Sequence, residues 1–287
     1  QNGGDVVIGT AADGSKQIGS TQIGSTNGET NVLGRDVLLA GGRNDPSADW
    51  GGSSQIGVRD GANTGDITGD ISVLATRDIT LTGAAPGVGP NNEGSRAGMA
   101  MIGHGGFDGS GRGRDHLTGD IYVDAGRNVT ATAGDNRDTF VQIGHGGRVG
   151  YNDTEVLGEI GGTIDVLART GGIEFTAGKG IYAWAHIGHG GRDVDPEALD
   201  SVNGVNSDIT VSAMGDINFT GGIGGADGTG ESYAQIGNGG IHSNVRTANE
   251  GWYGNIMVTS TDGAITFQAG DGVDAYAQLG HGGRAAR

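Results

Sequence analysis

One phrase returns along this chain, and it restricts the fold more than any other feature. It reads Met-Ile-Gly-His-Gly-Gly from Met101, Gln-Ile-Gly-His-Gly-Gly from Gln142 and His-Ile-Gly-His-Gly-Gly from His186. It continues as Gln-Ile-Gly-Asn-Gly-Gly from Gln235 and Gln-Leu-Gly-His-Gly-Gly from Gln278. A degenerate copy surrounds Gln55, and two shorter echoes begin at Gln17 and Gln22. From Gln55 onward successive copies lie 41–49 residues apart. Self-similarity at such a period marks a solenoid or a propeller, because a unit this short cannot bury its apolar face alone.

Two further apolar segments precede each copy in constant order. The first is Ile-x-Val: Ile71/Val73, Ile121/Val123, Ile164/Val166, Ile209/Val211 and Ile256/Val258. The second is Ile79/Leu81, Val129/Ala131, Ile173/Phe175, Ile217/Phe219 and Ile265/Phe267. The third runs into the recurring phrase itself, with Ala234/Ile236 and Ala277/Leu279 as its clearest pairs. Alternation with period two describes short strands with one buried and one wet face. Ser72, Tyr122, Asp165, Thr210 and Met257 fall on the wet face of the first strand. Three strands per coil, closed by glycine and Asx corners, place Ile on Ile and Gln on Gln at about 4.8 Å. A coil of about 27 residues with one projecting loop of about 15 accounts for the elastic period, since length varies where loops can. A propeller blade needs four strands and usually an aromatic signature; here the fourth segment, such as 193–207, is polar. The expected architecture is therefore an all-β parallel β-helix: a strand or cap segment over residues 1–29, then a solenoid of about six repeats over 30–287.

Composition supports this. The chain has 63 glycines but only 4 prolines and no Gly-X-Y period, so it is not collagen-like. Regularly placed Val, Ile, Leu and Phe separate it from a disordered linker. Glycine at this density disfavours helices. No stretch approaches the roughly 18 apolar residues of a membrane span, and no basic-then-apolar leader opens the sequence. A chain so read is a processed export product or a portion of something longer. The formal charge of −17 argues against nucleic acid and anionic membranes as partners. The absence of cysteine removes disulfides, thiolate zinc sites and thiol nucleophiles.

The segments Gly119-Asp120-Ile121-Tyr122-Val123-Asp124-Ala125 and Gly172-Ile173-Glu174-Phe175-Thr176-Ala177-Gly178 resemble the repeat regions of filamentous-haemagglutinin-like exoproteins, across roughly residues 30–283. The resemblance implies a right-handed coil, two-partner secretion and an adhesive role at the bacterial cell surface.

Several residues are candidates for chemistry. His104, His145, His189 and His281, with Asn238 in the equivalent place, read either as a metal row or as corner residues bonding the glycine turns. Asn238 favours the second reading, since asparagine copies a hydrogen bond but is a poor transition-metal ligand. Gln55, Gln142, Gln235 and Gln278 should stack as an amide ladder, each side chain donating to the next. Acidic loops at 108–115, 193–200 and 271–274 offer Asp108, Asp193, Asp195, Asp271 and Asp274 as weak calcium ligands. Their alternative role is loop solvation, and no other cofactor is expected. Catalysis on a glycan would require paired carboxylates. Asp165 and Glu174 face outward on neighbouring strands, but Thr210 and Asn218 replace them in the next repeat, which reads as surface variation. Thr80, Thr82, Thr130, Thr132, Thr176 and Thr220 do not make the two full outward columns that an ice-binding face needs. The expected protein is a secreted, non-enzymatic structural or adhesive solenoid. It would stack head to tail on its own kind through uncapped ends, with surface glycans or receptors as further partners. A carbohydrate-binding or carbohydrate-active β-helix is the competing expectation.

Overall fold

The computed structural model describes residues 3–9, 20–42, 52–59, 65–84, 98–107, 116–148, 156–196, 207–223, 230–243 and 252–283. Among these residues every regular element is a β-strand, and every strand pairing is parallel. The chain is a parallel β-helix.

Three sheets form its walls. The first holds Thr30–Gly34, Ile71–Ala75, Ile121–Ala125, Ile164–Ala168, Ile209–Ala213 and Ile256–Ser260. The second runs from Val6–Ile8 and Val37–Ala40 through Ile79–Thr82, Val129–Thr132, Ile173–Thr176 and Ile217–Thr220 to Ile265–Gln268. The third contains Thr21–Ile23, Ser54–Ile56, Ala100–Ile102, Val141–Ile143, Ala185–Ile187, Ala234–Ile236 and Ala277–Leu279. Each strand pairs with its counterpart one repeat away and with no other element of its own coil.

The register explains why the repeat tolerates loop insertions. Ile121 aligns with Ile71 and Ile164, and Ile164 with Ile209, so identical side chains pile up along the axis. Val73, Val123, Val166 and Val211 form a wholly buried column beside them. In the second sheet Phe175, Phe219 and Phe267 stack ring on ring at 5.1 and 5.3 Å. Each buried Val, Ile or Phe contributes about 1.5–3 kcal/mol, which is how so glycine-rich a chain acquires a core.

Within residues 1–29, Val6–Ile8 pairs with Val37–Leu39 and Thr21–Ile23 with Ser54–Ile56. The recurring phrase also carries a fourth strand: Gly105–Phe107, Gly146–Arg148, Gly190–Arg192 and Gly239–Ile241 form a sheet of their own. Glycine is required at the turn before it. Gly144 has φ of 147°, and a Cβ there would overlap the carbonyl of Gly188 in the next coil. Smaller pairings join Leu117–Thr118 to Ile160–Gly161 and Val156–Leu157 to Asp195–Pro196.

Candidate functional site: polar columns and the outward face

The histidine column is built from the turn between the third and fourth strands. His104, His145 and His189 stack with ring centroids 4.8 and 4.9 Å apart. The main-chain N–H at this position donates to the side chain of the next coil at every step. Val58 donates to His104 Nδ1 at 3.0 Å, His104 to His145 Nδ1 at 2.9 Å and His145 to His189 Nδ1 at 3.1 Å. His189 then donates to Asn238 Oδ1, and Asn238 to His281 Nδ1, each at 3.0 Å. An accepting Nδ1 fixes the proton on Nε2, which donates to Gly69, Gly119, Gly162 and Gly254 carbonyls from His104, His145, His189 and His281 at 2.7–2.9 Å. Asn238 repeats both roles, its amide donating to the Ser207 and Tyr253 carbonyls. Every ring nitrogen is thereby occupied, leaving no lone pair for a metal. Burial agrees with a neutral ring: it holds His189 down to about 4 and His145 well below the usual histidine range, the latter assisted by His189 and His104. His104 is also lowered by burial.

The glutamine column is bonded differently from an amide ladder. Gln22, Gln55, Met101, Gln142, His186, Gln235 and Gln278 occupy one register. Instead of reaching the next glutamine, each interior amide donates to glycine carbonyls of the next coil. Gln55 Nε2 reaches Gly103 O at 2.8 Å, Gln142 Nε2 reaches Gly188 O and Gly190 O at 3.1 and 3.0 Å, and Gln235 Nε2 reaches Gly280 O and Gly282 O at 3.0 and 2.7 Å. Met101 and His186 interrupt the ladder after Gln55 and Gln142, and at Gln235, which does face Gln278, the glycine turn brings its carbonyls within reach of the amide. Gln55 Oε1, Gln142 Oε1, Gln235 Oε1 and His186 Nδ1 are buried without a hydrogen-bond partner among the described residues. Burial holds His186 down to about 4, and its Nε2 faces Gly237 O at 2.6 Å.

An aromatic column absent from the expectations covers the glutamines. Met99, Phe140, Trp184, Tyr233 and Tyr276 sit two residues before the last five members of the glutamine column, and that constant offset is the signal the sequence offers for it. Phe140 stacks on Trp184 at 4.1 Å, Trp184 on Tyr233 at 6.0 Å and Tyr233 on Tyr276 at 5.1 Å.

An ionic cluster lies beside this column. Asp138 is wholly buried between Arg148 at 3.1 Å and Arg192 at 3.6 Å, and the Arg192 guanidinium lies 3.4 Å from the Tyr182 ring centre. Asp193, a candidate calcium ligand, is placed against Arg192 at 3.5 Å and His242 at 3.3 Å. Asp195 belongs to a two-residue strand, Asp271 is exposed, and Asp274 has a left-handed φ of 55°. Asp108 lies outside the described residues. Among the described residues no three acidic or histidine side chains are grouped to hold a metal ion.

The outward face of the first sheet carries a mixed set of side chains, with a tyrosine and two aspartates together near its middle. Ser72, Tyr122, Asp165 and Thr210 form one outward column, and Leu74, Asp124, Leu167 and Ser212 the next. Tyr122 donates from its hydroxyl to Asp124 Oδ2 at 2.9 Å, and Arg169 Nε donates to Asp124 Oδ1 at 2.8 Å. Asp165 lies directly across from Tyr122 and makes no hydrogen bond or ion pair among the described residues. Burial, and then the Asp124 charge, raise its carboxyl above the ordinary aspartate value. Glu174 projects from the second sheet instead, between Thr130 and Asn218, so it does not share the Asp165 face.

Comparison with protein-family models, with curated proteins and with solved structures gives no match.

Proposed function

We propose that this chain is a structural and adhesive segment of an extracellular fibre, stalk or cell-surface matrix, lengthened by stacking of one copy on the next. The observation that carries this reading is the state of the last described coil. Ile265 and Leu279 continue columns that are fully buried in the interior coils, yet they are 44% and 49% exposed. At the opposite end of the Leu279 column, Ile23 is 43% exposed. The edges of Ile256–Ser260, Ile265–Gln268 and Ala277–Leu279 have no strand beyond them among the described residues. Gln278 bonds the Gly280 and His281 carbonyls of its own turn, both at 3.2 Å, where interior Gln142 and Gln235 make such bonds and also reach the next coil. Apolar columns and unpaired edges of this kind template the addition of another coil. The charge of −17 keeps nucleic acid and anionic lipid out of the reading.

Sedimentation velocity at rising micromolar concentration, with negative-stain micrographs, tests the proposal. Wild-type protein should form particles that lengthen along one axis, and Leu279→Lys should restrict them to single units. A wild-type protein that stays monomeric at every concentration would overturn it.

A further inference from the structure

The outward face of the first sheet brings a tyrosine and two aspartates together among leucines. Leu74 and Leu167 lie on either side of Asp124 in one outward column, and Ser72 and Thr210 on either side of Tyr122 and Asp165 in the other. The aspartate that interrupts the leucines is 4% exposed, although it stands on the outer surface. The Tyr122 hydroxyl and the Arg169 guanidinium cover it, and in doing so they hold the tyrosine ring in a fixed position over the sheet. Beside this ring stands Asp165, whose carboxylate has acceptor capacity that no described neighbour uses.

We propose that this patch, centred on Tyr122 and Asp165, is a binding site for neutral glycans. A pyranose ring has an apolar C–H face and a rim of hydroxyls, so it needs a flat aromatic or aliphatic surface beside an acceptor able to take more than one donor. The Tyr122 ring with Leu74 and Leu167 supplies the surface, and the two Asp165 oxygens accept from neighbouring hydroxyls. Arg169, with over half its side chain exposed, retains N–H groups for a sugar oxygen. Ordering of the ring before binding removes an entropic cost that a free tyrosine would incur. Charge sets the class of ligand. Asp124 and Arg169 neutralise one another, which leaves Asp165 as a single negative charge on this patch. That repels uronates and sulfated sugars, and it offers a cationic peptide only one ion pair among leucine, serine and threonine. The site does not depend on end-to-end stacking, since it lies on the lateral wall.

Binding of the full chain to immobilised cellohexaose, chitohexaose and mannohexaose, with oligogalacturonate as the acidic comparison, tests the assignment. At least one neutral hexasaccharide should bind, and oligogalacturonate should not. Tyr122→Ala and Asp165→Asn should each weaken that binding by about tenfold or more, Asp165→Asn with an unchanged unfolding midpoint and Tyr122→Ala with a lower one, because the buried Asp124 loses a hydrogen bond. Thr266→Ala on the second sheet should leave binding unchanged. Failure of all three neutral sugars to bind, undiminished binding by both patch variants, or equal binding of oligogalacturonate would overturn it. Repeating the measurement in the Leu279→Lys background separates this site from fibre formation, because loss of stacking should leave sugar binding intact.

Discussion

The histidine and glutamine columns run side by side through the same coils, and they meet the cost of burying polar groups in opposite ways. In the histidine column both ring nitrogens are used, one by the preceding coil and one by a glycine carbonyl. Between His104 and His281 the one replacement, Asn238, copies both bonds, whereas Val58, one coil before His104, keeps only the main-chain donor. In the glutamine column the amide nitrogen is used and the oxygen is left over, and the column admits Met101 and His186. Once a buried imidazole is in place its neighbours depend on both of its bonds, while a half-satisfied amide leaves its column more permissive.

Acid should produce the largest effect, and it loads both columns, since His189 belongs to the first and His186 to the second. His186 and His189 have folded values near 4, below the ordinary histidine value of 6.5, so between these limits the unfolded chain binds more protons than the folded one. Stability is then full above about pH 6.5 and falls as pH drops toward 4, by about 3 kcal/mol for each of these two rings. Denaturant midpoints measured from pH 7 to pH 4 check this, and a flat profile would mean that the rings charge without cost. The next largest effect is expected from His145→Ala, which strands the buried His104 N–H and the Gly119 carbonyl and should cost about 2–4 kcal/mol. His145→Asn keeps an acceptor and a donor in the Asn238 manner and should recover most of that loss in the same titration. The smallest effect belongs to Gln142→Met, which reproduces Met101 and should change stability by about 1 kcal/mol or less. A larger loss there would show that the amide-to-carbonyl bonds matter as much as the imidazole ones.

The walls of the coil are legible in the sequence because their signal is simple. Ile-x-Val at a constant place in each repeat specifies both the strand and its partner, since a one-residue slip would turn Ile121 and Val123 outward. The fourth sheet is not legible, because Gly-Gly-Arg and Gly-Gly-Ile show no alternation and look like turn. The glutamine bonding departs from the expected ladder for a related reason: the glycine corner brings carbonyls within reach of the amide, a matter of backbone shape that composition does not state. The ionic cluster depends on Asp138 and Tyr182, which hold one position in successive coils with unrelated chemistry, so no repeat pattern announces it. The patch around Tyr122 escapes a reading of the repeats for the opposite reason, since comparison between copies treats a departure from consensus as noise.

The chain of bonds from Val58 to His281 also has a sense of travel. Each imidazole serves the amide of the coil before it and is itself read by none of its own. An error at one turn is thus felt upstream, by the neighbour whose proton has lost its receiver, while the downstream neighbour keeps its own. The stack behaves like a sentence in which each word is checked against its successor, so the two directions along it are not equivalent.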